Sequence, residues 1–95
     1  MKAYVIVDVT ITDPVRYEAY KTLTPASLEP FEGRFLVRGG ATETWEGDWQ
    51  PGRVVILEFP SLAKAKAWWS GEGYAPAKAI RQAASITRMI AVEGV

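Results

Sequence analysis

Two stretches of the chain carry apolar side chains on both faces of an extended backbone, and each predicts a buried β-strand. The first covers Ala3 to Ile11, with Asp8 as its one carboxylate. The second covers Arg53 to Ser61, reads RVVILEFPS and contains the single carboxylate Glu58. β-Branched and aliphatic residues favour strands, and Pro60 ends the second one because it lacks a donor for the sheet. We expect both strands at the centre of one sheet.

A helix is predicted after the first strand. Asp13 is suited to cap its first amides, and Pro14 suits its first turn, where no amide donor is required. An apolar stripe at helical spacing is formed by Val15, Ala19 and Leu23. Because proline removes a helical hydrogen bond, Pro25 predicts a kink or a new short turn running toward Glu29.

The second half of the chain predicts two further helical pieces. After the cap Ser61, one stripe is formed by Leu62, Ala65 and Trp69. Trp68 points about 100° away from Trp69, so the two rings cannot enter the same core. Beyond two glycines, a helix from Tyr74 to Ala84 places Tyr74 and Arg81 on nearly the same side.

The remaining strands flank these helices. A second strand starts near Arg34 and resumes after Gly39-Gly40 through Thr42 to Trp45. The loop EGDWQPG then predicts a hairpin into the RVVILEFPS strand, so these two strands should be antiparallel neighbours. The last strand is predicted over Ser85 to Glu93.

The order strand, helix, strand, strand, helix, strand predicts a ferredoxin-like α+β fold, with one antiparallel sheet and helices on one face. We expect residues 1–95 to form a single domain. Such a domain leaves the second face of its sheet bare. Since that face is also apolar, the sequence predicts a homodimer with face-to-face sheets.

Composition excludes several kinds of site. The 95 residues contain no cysteine and no histidine, which excludes disulfides, thiolate nucleophiles, Ser-His-Asp relays, Cys/His zinc sites and haem with an axial histidine. We expect no cofactor and no metal. The 11 basic and 11 acidic residues balance, which argues against a nucleic-acid or anionic-membrane partner. No secretion signal or bilayer-length apolar run is present, so the expected compartment is the cytoplasm.

Three segments carry a resemblance to a known family. They read YVIVDVTITDPVRYEAY, RFLVRGG and EGDWQPGRVVILEFPS, and the last is the most specific. Together with the Tyr74 to Arg81 spacing, they resemble the DUF1330 family of the dimeric α+β barrel superfamily. The resemblance implies a ferredoxin-like fold and a barrel-forming dimer. The family's function is not established, and related branches include cofactor-free monooxygenases, muconolactone-isomerase-like enzymes and haem proteins.

Glu58 is the first candidate for catalysis. A carboxylate in a dry pocket has a raised pKa and can accept a proton near neutral pH. The alternative is a structural ion pair with Arg38, Arg53 or Arg81, which would lower the pKa of Glu58.

Arg81 is the second candidate, as a fork that grips an anionic substrate group beside Tyr74. In the alternative, Arg81 only forms a structural ion pair with Glu58. The candidate substrate-binding residues are Tyr74, Tyr20, Arg38, Asp8 and Trp69.

The sequence therefore leaves two functions open. In one, a small acidic or aromatic organic molecule binds in a pocket between sheet and helices and undergoes cofactor-free proton transfer or oxygenation, with Glu58 as base and Arg81 stabilising the anion. In the other, the protein is a non-catalytic dimeric ligand-binding or assembly module.

Overall fold

The computed structural model describes residues 1–95 and contains one four-stranded antiparallel sheet. Its strands are β1 (Ala3–Ile11), β2 (Arg34–Arg38), β3 (Arg53–Phe59) and β4 (Ser85–Glu93). Its helices are α1 (Pro14–Leu28), α2 (Leu62–Ser70) and α3 (Ala75–Ala84), with a 3₁₀ turn at Glu29–Phe31. The strand order β2-β3-β1-β4 is that of a ferredoxin-like fold and confirms the predicted α+β class.

The helices cover one face of the sheet, the helix face, and leave the other, the open face, uncovered. Residues buried beneath the helices are Val5, Val7, Val9, Val55, Leu57 and Phe59. Because side chains alternate along a strand and directly paired residues share a face, the open face holds Tyr4, Ile6, Asp8, Val54, Ile56, Glu58, Arg88, Ile90 and Val92. The two faces therefore present separate sets of functional groups.

The core beneath the helices is built around Trp68. This residue is 1% exposed, and its ring lies 4.0 Å from that of Tyr74 and 5.4 Å from that of Phe59, between centroids. The indole Nε1 donates a hydrogen bond to Ser27 Oγ at 3.0 Å. The core thus buries a large ring without leaving its polar atom unpaired.

The predicted stripe on α2 is wrong at Trp69. That side chain is 42% exposed and Leu62 is 38% exposed, whereas Ala65 and Trp68 are buried. Ala65 and Trp68 are three residues apart and so share a side of the helix. Two adjacent tryptophans allow either rotation of the helix, and the fit of Trp68 between Tyr74 and Phe59 selects this one.

The predicted stripe on α1 is also wrong. Val15 is 82% exposed and Leu23 is 45% exposed, and the residues buried instead are Tyr17, Thr24, Ser27 and Leu28. Polar side chains can line the buried side because they donate hydrogen bonds to backbone carbonyls. Thr24 Oγ1, for example, donates to the backbone carbonyl of Tyr20 at 2.8 Å.

Pro25 lies inside α1, which continues to Leu28, so the new short turn predicted at Pro25 does not form. A proline four residues after Lys21 leaves the Lys21 carbonyl without its helical donor. Arg38 supplies a replacement, because its Nη2 donates to that carbonyl at 2.9 Å. A side chain from β2 therefore repairs the hydrogen bond that the proline removes.

The local signals at helix starts are confirmed. Asp13 Oδ1 accepts from the Arg16 amide at 3.2 Å, and Ser61 Oγ accepts from the Lys64 amide at 3.1 Å. The predicted extension of the second strand through residues 42–45 is wrong, since residues 39–52 form no strand. None of the helices is long and apolar enough to cross a membrane.

The exchange of roles between the two tryptophans gives a test of the packing. We expect Trp68→Ala to lower the free energy of unfolding by about 3–5 kcal/mol, because it leaves a cavity in the core. The matched variant Trp69→Ala, on a half-exposed ring, should change it by less than about 1 kcal/mol. Urea unfolding followed by circular dichroism measures both, and equal losses would contradict the assignment.

Candidate functional site

A groove of about 510 Å³ opens between α2, α3 and the edge strand β4, and we call it the α2–α3 groove. Its apolar wall consists of Val5, Leu62, Ala65, Trp68, Trp69, Met89, Ile90 and Ala91. Its polar side chains are Lys66, Arg81, Gln82 and Thr87. No carboxylate lines it, so the groove combines aromatic surface with positive charge.

Arg81 is the buried cation of this groove, with only 5% of its surface exposed. Its Nε donates to Tyr74 Oη at 3.2 Å. It belongs to none of the molecule's six ion pairs. A guanidinium taken out of water is costly unless anions or hydrogen bonds replace the water. Arg81 therefore carries a positive charge that no carboxylate of the chain balances.

Tyr74 and Tyr20 extend this hydrogen bonding into the core. Their hydroxyl oxygens lie 2.8 Å apart and share a hydrogen bond. Burial, followed by the neighbouring Tyr74, raises the pKa of Tyr20 well above its ordinary value of 10.0. Tyr20 is therefore a neutral hydroxyl at neutral pH, and the chain Arg81, Tyr74, Tyr20 orients the guanidinium without adding a negative charge.

Glu58 lies on the open face, on the opposite side of the sheet from Arg81. Its Oε1 accepts from Arg34 Nε at 2.8 Å and lies 3.6 Å from Lys2 Nζ. The hydrogen bond from Arg34 is the main reason that the pKa of Glu58 is lowered from 4.5, and the charges of Arg34 and Lys2 add to it. Desolvation acts in the opposite direction and is outweighed. Glu58 is thus a paired carboxylate at neutral pH.

The partner of Glu58 differs from the three arginines expected. Arg34 lies directly opposite Glu58 in the β2–β3 pairing, so the two side chains share the open face. Arg53 lies on the same strand an odd number of residues away and therefore points to the helix face. An irregularity between Phe35 and Val37 shifts the register and turns Arg38 to the helix face as well.

Asp8 is also on the open face, where it holds the long β2–β3 connection. Its Oδ2 accepts from Trp49 Nε1 at 2.9 Å, and its Oδ1 accepts from the Gly52 amide at 2.9 Å. The hydrogen bond from Trp49 is the main reason that the pKa of Asp8 is lowered from 3.8, and the bond from Gly52 comes next. Desolvation raises this pKa but is outweighed, and the charge of Arg88 lowers it further. Both carboxylate oxygens are engaged within the chain.

The other two predicted site residues lie at different ends of the helix face. Trp69 forms part of the outer wall of the α2–α3 groove, with Lys78 Nζ 4.0 Å from its ring centroid. Arg38 sits on the far side, beside α1, with its guanidinium 4.3 Å from the centre of the Phe35 ring. The structure thus joins Tyr20, Tyr74 and Arg81 in one hydrogen-bonded chain and places Trp69 on the same groove as Arg81. Arg38 lies at the other end of this chain, in a small cavity that Tyr20 also lines. Asp8 and Glu58 lie on the opposite face of the sheet.

Sequence reasoning did not select the groove residues Trp68, Lys66, Gln82 and Thr87 as site residues. Gln82 directly follows Arg81, and Lys66 lies two residues before Trp68, so neither stands out by spacing. A usable signal existed for Trp68, since it and Tyr74 bracket the two glycines that end α2. No group of three metal-ligating side chains is present.

Comparison with known proteins identifies the fold independently. The model of a family described as "Domain of unknown function (DUF1330)" matches residues 2–95. No curated protein matches the chain.

Three solved structures illustrate the likeness. The RPA0582 protein of unknown function from Rhodopseudomonas palustris is 21% identical, with 99% of this chain and 82% of that chain covered and a TM-score of 0.77. SnoaB, a cofactor-independent oxygenase from Streptomyces nogalater, is 17% identical, with coverage of 99% and 93% and a TM-score of 0.70. A dimeric ferredoxin-like protein of unknown function from Jannaschia sp. CCS1 is 13% identical, with coverage of 99% and 100% and a TM-score of 0.73. At these identities the likeness establishes the fold alone.

The open-face carboxylates predict how stability responds to acid. Because the pKa values of Asp8 and Glu58 are lowered on folding, their stabilising effect is complete above the ordinary carboxyl pKa and is lost as the pH falls through the lowered one. We expect the urea midpoint to fall between about pH 5 and about pH 2, and to fall less steeply in Asp8→Asn. Glu93→Gln serves as the control that keeps the wild-type slope, and an unchanged slope in Asp8→Asn would contradict the role of Asp8.

Proposed function

The chain belongs to the DUF1330 family, and we propose that it binds a small aromatic anion in the α2–α3 groove as part of a homodimer. The observation that carries this proposal is Arg81, a buried guanidinium with no carboxylate partner on the wall of an aromatic groove. A ligand carboxylate or phenolate would supply the missing charge. Arginine binds such groups through two parallel hydrogen bonds, which fixes the orientation of the ligand.

The shape of the groove supports a ligand with an aromatic ring. Its volume of about 510 Å³ lies within the usual range for pockets that hold small molecules. Trp68 and Trp69 contribute ring surface on one side, and Met89 contributes a deformable thioether on another. Gln82 and Thr87 add neutral hydrogen-bonding groups near Arg81.

The groove favours a substrate that is already acidic. Neither Glu58 nor Asp8 lines the groove, so its walls offer no carboxylate that could remove a proton from carbon. The raised pKa of Tyr20 also keeps that hydroxyl from serving as a base at neutral pH. Arg81 would instead lower the pKa of a bound phenol and hold it as the phenolate. Glu58, the base considered from the sequence, therefore has no part in the proposed chemistry.

A phenolate held this way is suited to cofactor-free oxygenation. In a compound whose ring CH₂ group exchanges with a phenol tautomer, loss of the phenol proton to water gives the electron-rich anion. This anion reduces O₂ directly, one oxygen atom becomes the C=O oxygen of the former CH₂ carbon, and the other leaves as water with the two hydrogens that this carbon loses. The fold shared with SnoaB, a cofactor-independent oxygenase, supports this chemistry by analogy only. The alternative function is a ligand-binding or assembly module that holds the same anion without consuming O₂.

The open face supports the homodimer. It exposes Ile86, Ile90 and Val92 by 68%, 61% and 44%. The molecule is a slab of 35 × 34 × 17 Å. Its accessible surface of 6164 Å² exceeds the value of about 5,400 Å² expected for a monomer of this mass.

A second copy of the chain is the proposed cover for this face. The zero net charge removes long-range repulsion between copies, and the Jannaschia neighbour is described as dimeric. A hollow of about 650 Å³ bordered by Asp8, Trp49 and Ile90 lies on the same face, and the partner copy would close it.

Ligand binding is tested with 2-naphthoate and its neutral counterpart 2-naphthalenemethanol, followed by tryptophan fluorescence and calorimetry. We expect naphthoate to bind and the alcohol to bind at least about tenfold more weakly, because the alcohol lacks the charge that Arg81 pairs with. Arg81→Met should remove that preference, and Glu58→Gln, on the opposite face, should retain it. Equal binding of the two probes to the wild-type protein would overturn the proposal.

Oxygen consumption separates the two functions. An oxygen electrode with 1,8-dihydroxyanthrone as probe should record uptake above the uncatalysed rate, in proportion to wild-type protein and much less with Arg81→Met. If naphthoate binds but no catalysed uptake occurs with the anthrone, the protein is a binding module toward this compound class. The two results are independent readouts of the same groove.

The dimer is tested by light scattering at micromolar concentration. We expect the mass of two chains for the wild-type protein and of one chain for Ile90→Glu, because a charge on the open face would be desolvated in the dimer. Val15→Glu, on the exposed side of α1, is the matched control and should remain dimeric. A wild-type mass near 10.5 kDa would contradict the proposal.

A further inference from the structure

A second cluster of cations lies on the helix face, at the end away from the α2–α3 groove. Lys21 from α1, Arg38 from the end of β2 and Arg53 from the start of β3 line one small cavity of about 20 Å³. The other polar residues that line it are Tyr17, Tyr20 and Thr24. No carboxylate lines it. We call Lys21, Arg38 and Arg53 the rim cluster.

Backbone geometry brings the rim cluster together. The β2–β3 pairing places Arg38 opposite Val55 on the helix face, and Arg53 is two residues before Val55 on the same strand. Gly39 has a φ of 74°, and a Cβ at this position would collide with the guanidinium of Arg53. The glycine therefore permits the positive φ of the turn and leaves room for the Arg53 side chain.

The charges of the rim cluster are largely unbalanced. Glu18 pairs with Lys21 at 2.8 Å, but the Glu18 side chain is 68% exposed and does not line the cavity. Neither Arg38 nor Arg53 takes part in an ion pair. Three cations at one rim without a carboxylate between them repel one another unless an anion joins them.

Arg53 also has an unused donor. Its Nε is buried and has no hydrogen-bond partner, whereas buried polar atoms are paired in the great majority of cases. The Arg53 guanidinium carbon lies 5.8 Å from the Tyr17 ring centre, which holds the side chain in place without satisfying this donor. Arg38 donates one hydrogen bond to the Lys21 carbonyl, and its other guanidinium N–H groups remain available to a ligand.

We propose that the rim cluster binds a phosphate group. Three converging cations favour a doubly charged oxyanion over a carboxylate, and a phosphate offers acceptor oxygens in several directions at once. The cavity behind the rim has room for about one water molecule. The phosphate therefore sits at the mouth, and the remainder of a phosphorylated molecule extends into solvent.

This site is separate from the α2–α3 groove and does not depend on the function proposed for it. Trp68 and Met89 line both spaces and stand between them. The two sites also differ in ligand, because the groove of about 510 Å³ has room for an aromatic anion, whereas the cavity of about 20 Å³ at the rim has no room for a ring and offers three cations at its mouth. Loss of one should leave the other intact.

The test is a titration with inorganic phosphate, followed by amide NMR shifts at ionic strength held constant with sodium chloride. We expect saturable shifts at residues 21, 38, 39 and 53. Because each charge-assisted bond to phosphate contributes strongly, Arg53→Met and Arg38→Met should each weaken binding by about tenfold. Arg16→Met removes the same charge from the exposed side of α1 and should change the affinity by less than about twofold.

Phenyl phosphate distinguishes two sources of the phosphate. Affinity equal to that of inorganic phosphate indicates a free ion, and tighter binding indicates a phosphate monoester, and both support the site. If Arg53→Met does not fold, Arg53→Lys retains the charge, removes the fork and should still weaken binding. Shifts that chloride reproduces at the same ionic strength, or an equal loss in Arg16→Met, would overturn the proposal.

Discussion

The strict alternation of side chains along the strands is the constraint on which the chemistry of this protein depends. A strand residue belongs to one face of the sheet or the other, and a one-residue shift reverses that assignment. In β3, Leu57 and Phe59 enter the core, so Glu58 is directed to the open face. The acids of β1 and β3 therefore lie across the sheet from Arg81. No movement of side chains alone can bring Glu58 to Arg81.

This separation leaves paired charges on one face of the sheet and unpaired cations on the other. On the open face the carboxylates of Asp8 and Glu58 are matched by donors from their own chain. On the helix face, Arg81, Arg38 and Arg53 have no acidic partners. A chain with zero net charge thus has one face whose carboxylates are paired within the chain and another face with unpaired arginines. The same division explains why the open face suits contact with an identical copy and the helix face suits ligands.

Much of the fold could be predicted from the sequence because its signals are local. The bounds of the first and last strands, the caps at Asp13 and Ser61, and the closeness of Tyr74 and Arg81 follow from pattern and spacing within a few residues. The order of the elements then permits only a few topologies.

The candidate site was harder to predict because it depends on long-range choices. Trp68 and Trp69 are chemically identical neighbours, and only the packing of α2 on the sheet decides which is buried. Arg34 pairs with Glu58 through a register that an irregularity in β2 sets. Because β3 carries apolar residues on both faces, its sequence pattern does not show which face Glu58 occupies. Pattern alone carries no information on such pairings.

The hydrogen bond between Arg38 and the Lys21 carbonyl bears on any attempt to redesign this protein. Pro25 and Arg38 are thirteen positions apart in sequence yet act on one carbonyl, one by withholding a donor and the other by supplying it. A consensus or computed sequence that keeps the proline and exchanges the arginine would weaken the last turns of α1 without any visible change in the core. Positions 25 and 38 are best varied as a pair, because alanine at 25 restores a backbone donor and removes the dependence of α1 on Arg38.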